Sequence, residues 1–124
     1  MRDSGSDVAY VWDMLHAAEG LSLSIAGLEL QHYLASEDLR MSVERRVEII
    51  GEAARRISDE FKKAHPGIPW KGIISQRHVI AHDYDEIDDR LIWRLVTDQV
   101  PDLIQMLKKL LPPAPDTSYY EDDG

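Results

Sequence analysis

Apolar residues recur along this chain at helical spacing. Val43, Val47, Ile50, Ala54, Ile57 and Phe61 step by four and three. That is the stripe of an amphipathic helix and not the alternation of a strand. An N-terminal stripe of Val8, Val11, Leu15, Ala18, Ser22 and Ile25 follows candidate caps at Ser4, Ser6 and Asp7, and Gly27 predicts its end. A short apolar piece, residues 28–34, then leads into Ser36-Glu37-Asp38, whose cap and early acids suit the start of a long second helix. The last helix is expected from about Asp88 and Asp89, along Ile92, Val96, Leu103, Leu107 and Leu110, with a kink or local break at Pro101. Strand signals and internal repeats are absent. Three long helices imply an all-α antiparallel helical bundle with short helices in its connections.

The bundle is expected to occupy residues 1–111. Pro112, Pro113 and Pro115 cannot continue a helix, and residues 116–124 carry Asp116, Glu121, Asp122 and Asp123 with no Lys or Arg. The stretch 112–124 therefore reads as a solvated, disordered tail. Gly51 costs about 1 kcal/mol against alanine inside a helix. A small residue there permits close approach of another helix, either in the same chain or in a partner.

Composition narrows the function. The chain has 124 residues, 44% of them apolar and 30% charged, which fits one globular domain. Its 23 acids against 14 bases give a net charge of −9, which argues against non-specific coating of nucleic acid or membranes and leaves room for a local RNA site. With no cysteine, thiolate catalysis and Cys-based metal sites are excluded. The opening MRDSGSD lacks the profile of a secretory signal and no apolar run reaches membrane-spanning length, so a cytoplasmic location is expected. The outer face of the second helix holds Arg45, Arg55, Arg56, Lys62 and Lys63, interleaved with Glu44, Glu48, Glu52 and Asp59. A basic groove for RNA would fit there. Pairs such as Glu52–Arg56 and Asp59–Lys63, in acid-first i,i+4 order, make a salt-bridged solvent face the better reading.

The residues that suggest chemistry lie between the second and last long helices, in residues 65–88. Pro66, Gly67 and Pro69 break the helix and Trp70 starts another. Arg77, His78, His82 and Tyr84 follow. A guanidinium and an imidazole are the minimum for metal-free phosphodiester cleavage, one stabilising transition-state charge and the other moving a proton. On a helix, residues five apart differ by about 140°, so Arg77 and His82 do not share a face. A composite site, in which two copies meet across a two-fold axis, would complete the set. His78 and His82 do share a face and with Asp83 or Asp85 would make a metal site, but Val79 stands where a zinc protease needs Glu. The bland alternative is an ion-paired Arg77 and a buried, satisfied His82.

The pattern Arg77, four residues, His82, one residue, Tyr84 resembles the signature of HEPN-domain ribonuclease toxins, specifically the HepT-like group paired with MNT-type nucleotidyltransferases. Residues 47–53 are similar to that family's central helix. Pro66, Ile68, Pro69 and Trp70 are similar to its proline-tryptophan approach, and Leu91-Ile92-Trp93 with Val100-Pro101-Asp102-Leu103 to its last helix. The resemblance implies a two-fold homodimer and a metal-independent, cofactor-free endoribonuclease acting on tRNA or mRNA. It implies Arg77 and His82 as the catalytic pair and Tyr84 as the tyrosine that a nucleotidyltransferase antitoxin AMPylates. His78 stands where close relatives often carry Asn, and a supporting role is expected for it. Some HEPN proteins are instead non-catalytic scaffolds that bind and neutralise a partner nucleotidyltransferase.

Overall fold

The computed structural model describes residues 4–75 and 89–111. The first helix, α1, runs Ser4–Ile25 and is followed by α2 (Leu30–Ala35), α3 (Glu37–Arg56) and α4 (Asp59–Ala64). Residues 70–75 are helical (α5). After α6 (Asp89–Arg94), a π-helical turn (Leu95–Gln99) leads into α7 (Val100–Leu110). The described residues contain no strand, and the fold is the expected all-α, HEPN-like helical bundle. The tail read from residues 112–124 lies outside them.

α1 ends where its glycine predicts. Gly27 sits at φ 76, a left-handed conformation that glycine adopts without steric cost, and the Leu28 N–H closes the turn onto the Ile25 carbonyl (2.9 Å). α3 starts as read: the Leu39 N–H donates to Ser36 Oγ at 3.1 Å, and Glu37 and Asp38 occupy the first turn. α1 and α3 lie antiparallel, since Asp7 meets Ser58 and Gly20 meets Arg46. Between them and α7, Met14, Leu21, Val43, Val96 and Leu107 are almost wholly buried. Gly51 is buried within the chain.

Three expectations change. Ser6 and Asp7 do not cap α1 from outside, because both lie within the helix. Asp7 is instead a buried carboxylate that accepts the Ser58 N–H (2.8 Å) and the Ser58 hydroxyl (2.7 Å). The long second helix does not reach Phe61. It ends at Arg56, Ile57 turns extended (ψ 141), and Ser58 caps α4 by accepting the Phe61 N–H at 3.1 Å. Pro101 produces no sharp break. The π turn before it widens the helix, and Pro101 takes a tolerated place in the first turn of α7.

Candidate functional site

Arg77, His78, His82 and Tyr84 lie outside the described residues, and so do Asp83 and Asp85. What is described is how the chain is held on either side of them. Before them, the Phe61 ring lies 4.5 Å from the His65 ring and meets Trp70 edge-on at 6.5 Å. The Trp70 indole N–H donates to the His65 carbonyl at 3.0 Å, and Ile68 is buried. The Pro66-Gly67 turn is thereby clamped, and α5 starts from a fixed point with Ile73 and Ile74 against the core.

After them, α6 is tied to α2 and α3. Arg40 Nε stands 3.7 Å from Asp89 Oδ2, while its Nη1 donates to the carbonyls of Tyr33 and Leu34. The Tyr33 and Trp93 rings lie 5.3 Å apart. The Tyr33 hydroxyl is fully buried and has no hydrogen-bond partner among the described residues. Burial, reinforced by the carboxylates of Asp89 and Glu44, pushes its pKa far above the phenol range, so Tyr33 stays neutral at physiological pH. Glu44 is also raised, by burial first and then by Asp89.

Two hollows flank this frame. An apolar one of about 430 Å³ lies between α5 and α7, lined by Leu21, Val47, Ile50, Ile73, Leu103 and Met106. The other, about 460 Å³, runs between α1 and α3, with Arg45, Arg46 and Arg56 matched in its walls by Asp13, Glu48 and Glu52. At its lip Glu52 receives Arg55 Nη2 (2.7 Å) and Arg56 Nε (2.9 Å), and these bonds pull its carboxyl down to about 2. The expected Glu52–Arg56 pair is therefore present, and Arg45–Glu48 adds a looser one at 3.7 Å. The sequence pattern does not single out Arg46. It falls between the charged face and the apolar stripe, and the glycine that makes room for it is in another helix.

Among the described residues, no group of three or more His, Asp or Glu side chains converges as a metal site, and no helix is long and apolar enough to cross a membrane.

A helical bundle with a clamped proline-tryptophan turn leading into a short Arg/His segment defines the class as HEPN-like. The chain belongs to the HepT-like ribonuclease family, whose pattern it matches over residues 14–110. It is similar to a Thermococcus cleftensis protein named "Probable ribonuclease HepT", with 32% identity covering 82% of this chain and 92% of that one. A Methanocaldococcus jannaschii protein named "Putative RNase" is 32% identical over 75% of this chain and 85% of its own length. A third relative, from Caldanaerobacter subterraneus and bearing the same description, is 29% identical over 82% and 91%. No solved structure matches the chain significantly.

Proposed function

We propose that this protein is a metal-independent endoribonuclease, the toxin of a HEPN/MNT toxin–antitoxin pair. One observation carries the reading: Arg77, His82 and Tyr84 keep the family's spacing in a chain that belongs to that family. In the reaction the ribose 2′-oxygen attacks the adjacent phosphorus and the bond to the 5′-oxygen breaks. A 2′,3′-cyclic phosphate and a 5′-hydroxyl result. His82 takes the 2′-hydroxyl proton or returns one to the leaving oxygen, and Arg77 stabilises the extra negative charge of the transition state. His78 supports the pair with a further hydrogen bond. Because residues five apart on any helix point about 140° apart, the working unit we propose is a two-fold homodimer in which two Arg77/His82 sets meet. The substrate is an RNA, tRNA or mRNA.

Control falls to Tyr84. Its hydroxyl oxygen attacks the α-phosphorus of ATP held by a nucleotidyltransferase antitoxin, pyrophosphate leaves, and AMP remains in phosphodiester linkage. Each AMP brings about one negative charge beside Arg77, by the same charge logic as phosphorylation. It competes there with the scissile phosphate while the adenosine fills the cleft.

The test is cleavage of RNA in excess chelator by the full chain. Arg77→Ala and His82→Ala should each lower the rate by about 10²–10⁴-fold without loss of helicity. Activity surviving both substitutions favours a second reading, a non-catalytic scaffold that restrains its nucleotidyltransferase. The net charge of −9 speaks for that alternative, since it works against RNA binding.

A further inference from the structure

Arg40 sits at the corner where three helices meet. It belongs to α3, and its Nη1 donates to the Tyr33 and Leu34 carbonyls near the end of α2. Its Nε faces Oδ2 of Asp89, the first residue of α6, at 3.7 Å. One guanidinium thus occupies the negative end of α2 and pairs with the carboxylate that opens α6. The pair is only partly open to water, with the Arg40 and Asp89 side chains 25% and 32% exposed. Glu44 lies one turn further along α3, where Asp89 helps to raise its pKa and Arg40 works to lower it. Without Arg40, these two carboxylates would repel each other beside the buried Tyr33. The Tyr33–Trp93 contact packs α6 against α2, but the Tyr33 hydroxyl makes no hydrogen bond among the described residues, so that contact carries little direction. Arg40 supplies it.

α6 begins soon after the segment that carries the candidate chemistry, with Tyr84 two positions beyond His82 and Asp89 five beyond Tyr84. On its other side that segment follows α5, whose start is clamped by Trp70. We infer that Arg40 is a positioning residue for RNA cleavage: through Asp89 it fixes the start of α6, and with it the downstream end of the chain that bears Arg77, His82 and Tyr84. The inference rests on the nuclease reading and adds to it a residue from another helix, which acts through Asp89 and not on the reacting atoms. A planar, permanently charged fork suits the task, because it serves carbonyls and a carboxylate in fixed directions, which an ammonium on a flexible stem does less well. The leverage is large, since misplacing reacting groups by about 1 Å costs on the order of 10²-fold in rate.

The experiment pairs RNA cleavage in excess chelator with amide hydrogen exchange, both on the full chain. Arg40→Ala should lower kcat by about 10–100-fold with KM within about twofold, and Arg40→Lys should recover part of the loss. Asp89→Asn should lower kcat by about threefold alone, yet raise it in the Arg40→Ala background, where it relieves the repulsion from Glu44. Arg55→Ala, which removes an exposed, ion-paired guanidinium elsewhere on α3, should leave kcat within about twofold. Exchange at the Trp93 and Arg94 amides should quicken by about tenfold in Arg40→Ala, while the amide of Met14 in the core stays protected. An unchanged kcat or unchanged Trp93 exchange in Arg40→Ala would overturn the inference. So would an Asp89→Asn effect of the same sign in both backgrounds, or exchange that quickens at Met14 as much as at Trp93. A wild type that fails to cleave RNA would remove the nuclease reading, and the Trp93 exchange would then decide alone whether Arg40 holds the start of α6.

Discussion

The chain interrupts two of its long helical stripes, and it does so in opposite ways. Between α3 and α4 the backbone leaves helical geometry altogether at Ile57, and a new cap at Ser58 restarts it. Between α6 and α7 the backbone stays helical and only widens, through Leu95–Gln99. The first interruption is held from outside, by an Asp7 carboxylate 51 positions away. The second is held from within. Pro101 lacks an N–H and its ring would strike the carbonyl of Thr97 in an unbroken α-helix. The Thr97 hydroxyl in turn donates to the Trp93 carbonyl at 2.9 Å. The apolar stripe there, Ile92, Val96, Val100 and Ile104, advances in steps of four, which drift around a regular helix. A wider turn absorbs the drift and keeps all four in the core. A full stop redirects the chain toward the α4–α5 turn, whereas a π turn preserves direction and corrects register.

Breaking the external hold should have the largest effect. Asp7→Ala removes a charged acceptor and leaves the Ser58 N–H and hydroxyl short of a partner, so urea unfolding should show a loss of about 2–3 kcal/mol. Ser58→Ala removes the α4 cap and one of the two bonds to Asp7, with an expected loss of about 1–2 kcal/mol. A double variant should lose less than the sum, because the two residues share one contact. Pro101→Ala should shift stability by less than about 1 kcal/mol in either direction, since the turn is also favoured by the core spacing. A loss equal to that of Asp7→Ala would mean that proline alone imposes the π turn. The smallest effect is acid-dependent. Glu52 has its pKa lowered to about 2 by hydrogen bonds from Arg55 and Arg56 in the last turn of α3. A depressed carboxyl contributes stability above its ordinary value of 4.5 that is lost as pH falls toward 2. The Arg56 Nε–H resonance should broaden or shift over that interval, with no matching change at Leu95–Gln99.

Much of the fold is written in local signals. The Ser36 cap, the Gly27 stop and the stripes of α1 and α3 act over a few residues, and each reads directly from its neighbours. The α3–α4 break also has a local signal, Ser58-Asp59-Glu60, of the same kind as Ser36-Glu37-Asp38. It is masked in the sequence because Ile57 and Phe61 prolong the apolar stripe past it. Asp7 could not be assigned to Ser58 at all, because nothing within a helical turn of either residue names the other. Gly20 and Arg46 are hidden for the same reason. The Arg77-His82-Tyr84 pattern rests on spacing and family resemblance, and those residues lie outside the described part of the chain, so its legibility ends where the sequence does. The framing contacts at Trp70 and Asp89 were partly readable, the first from its prolines and the second from its helix-starting acid.

The antiparallel arrangement of α1 and α3 has a consequence for the order of assembly. α2 joins the two helices at one end, and the Asp7–Ser58 contact closes the other. Contacts near α2 enclose short loops, while the Asp7–Ser58 pair encloses the whole hairpin and carries the larger closure entropy. The pair should therefore form after the folding transition state, as the last tooth of a zipper. Its removal would hasten unfolding and leave the rate of folding nearly unchanged. The buried carboxylate is then a latch on residence time in the folded state, and it takes no part in finding that state.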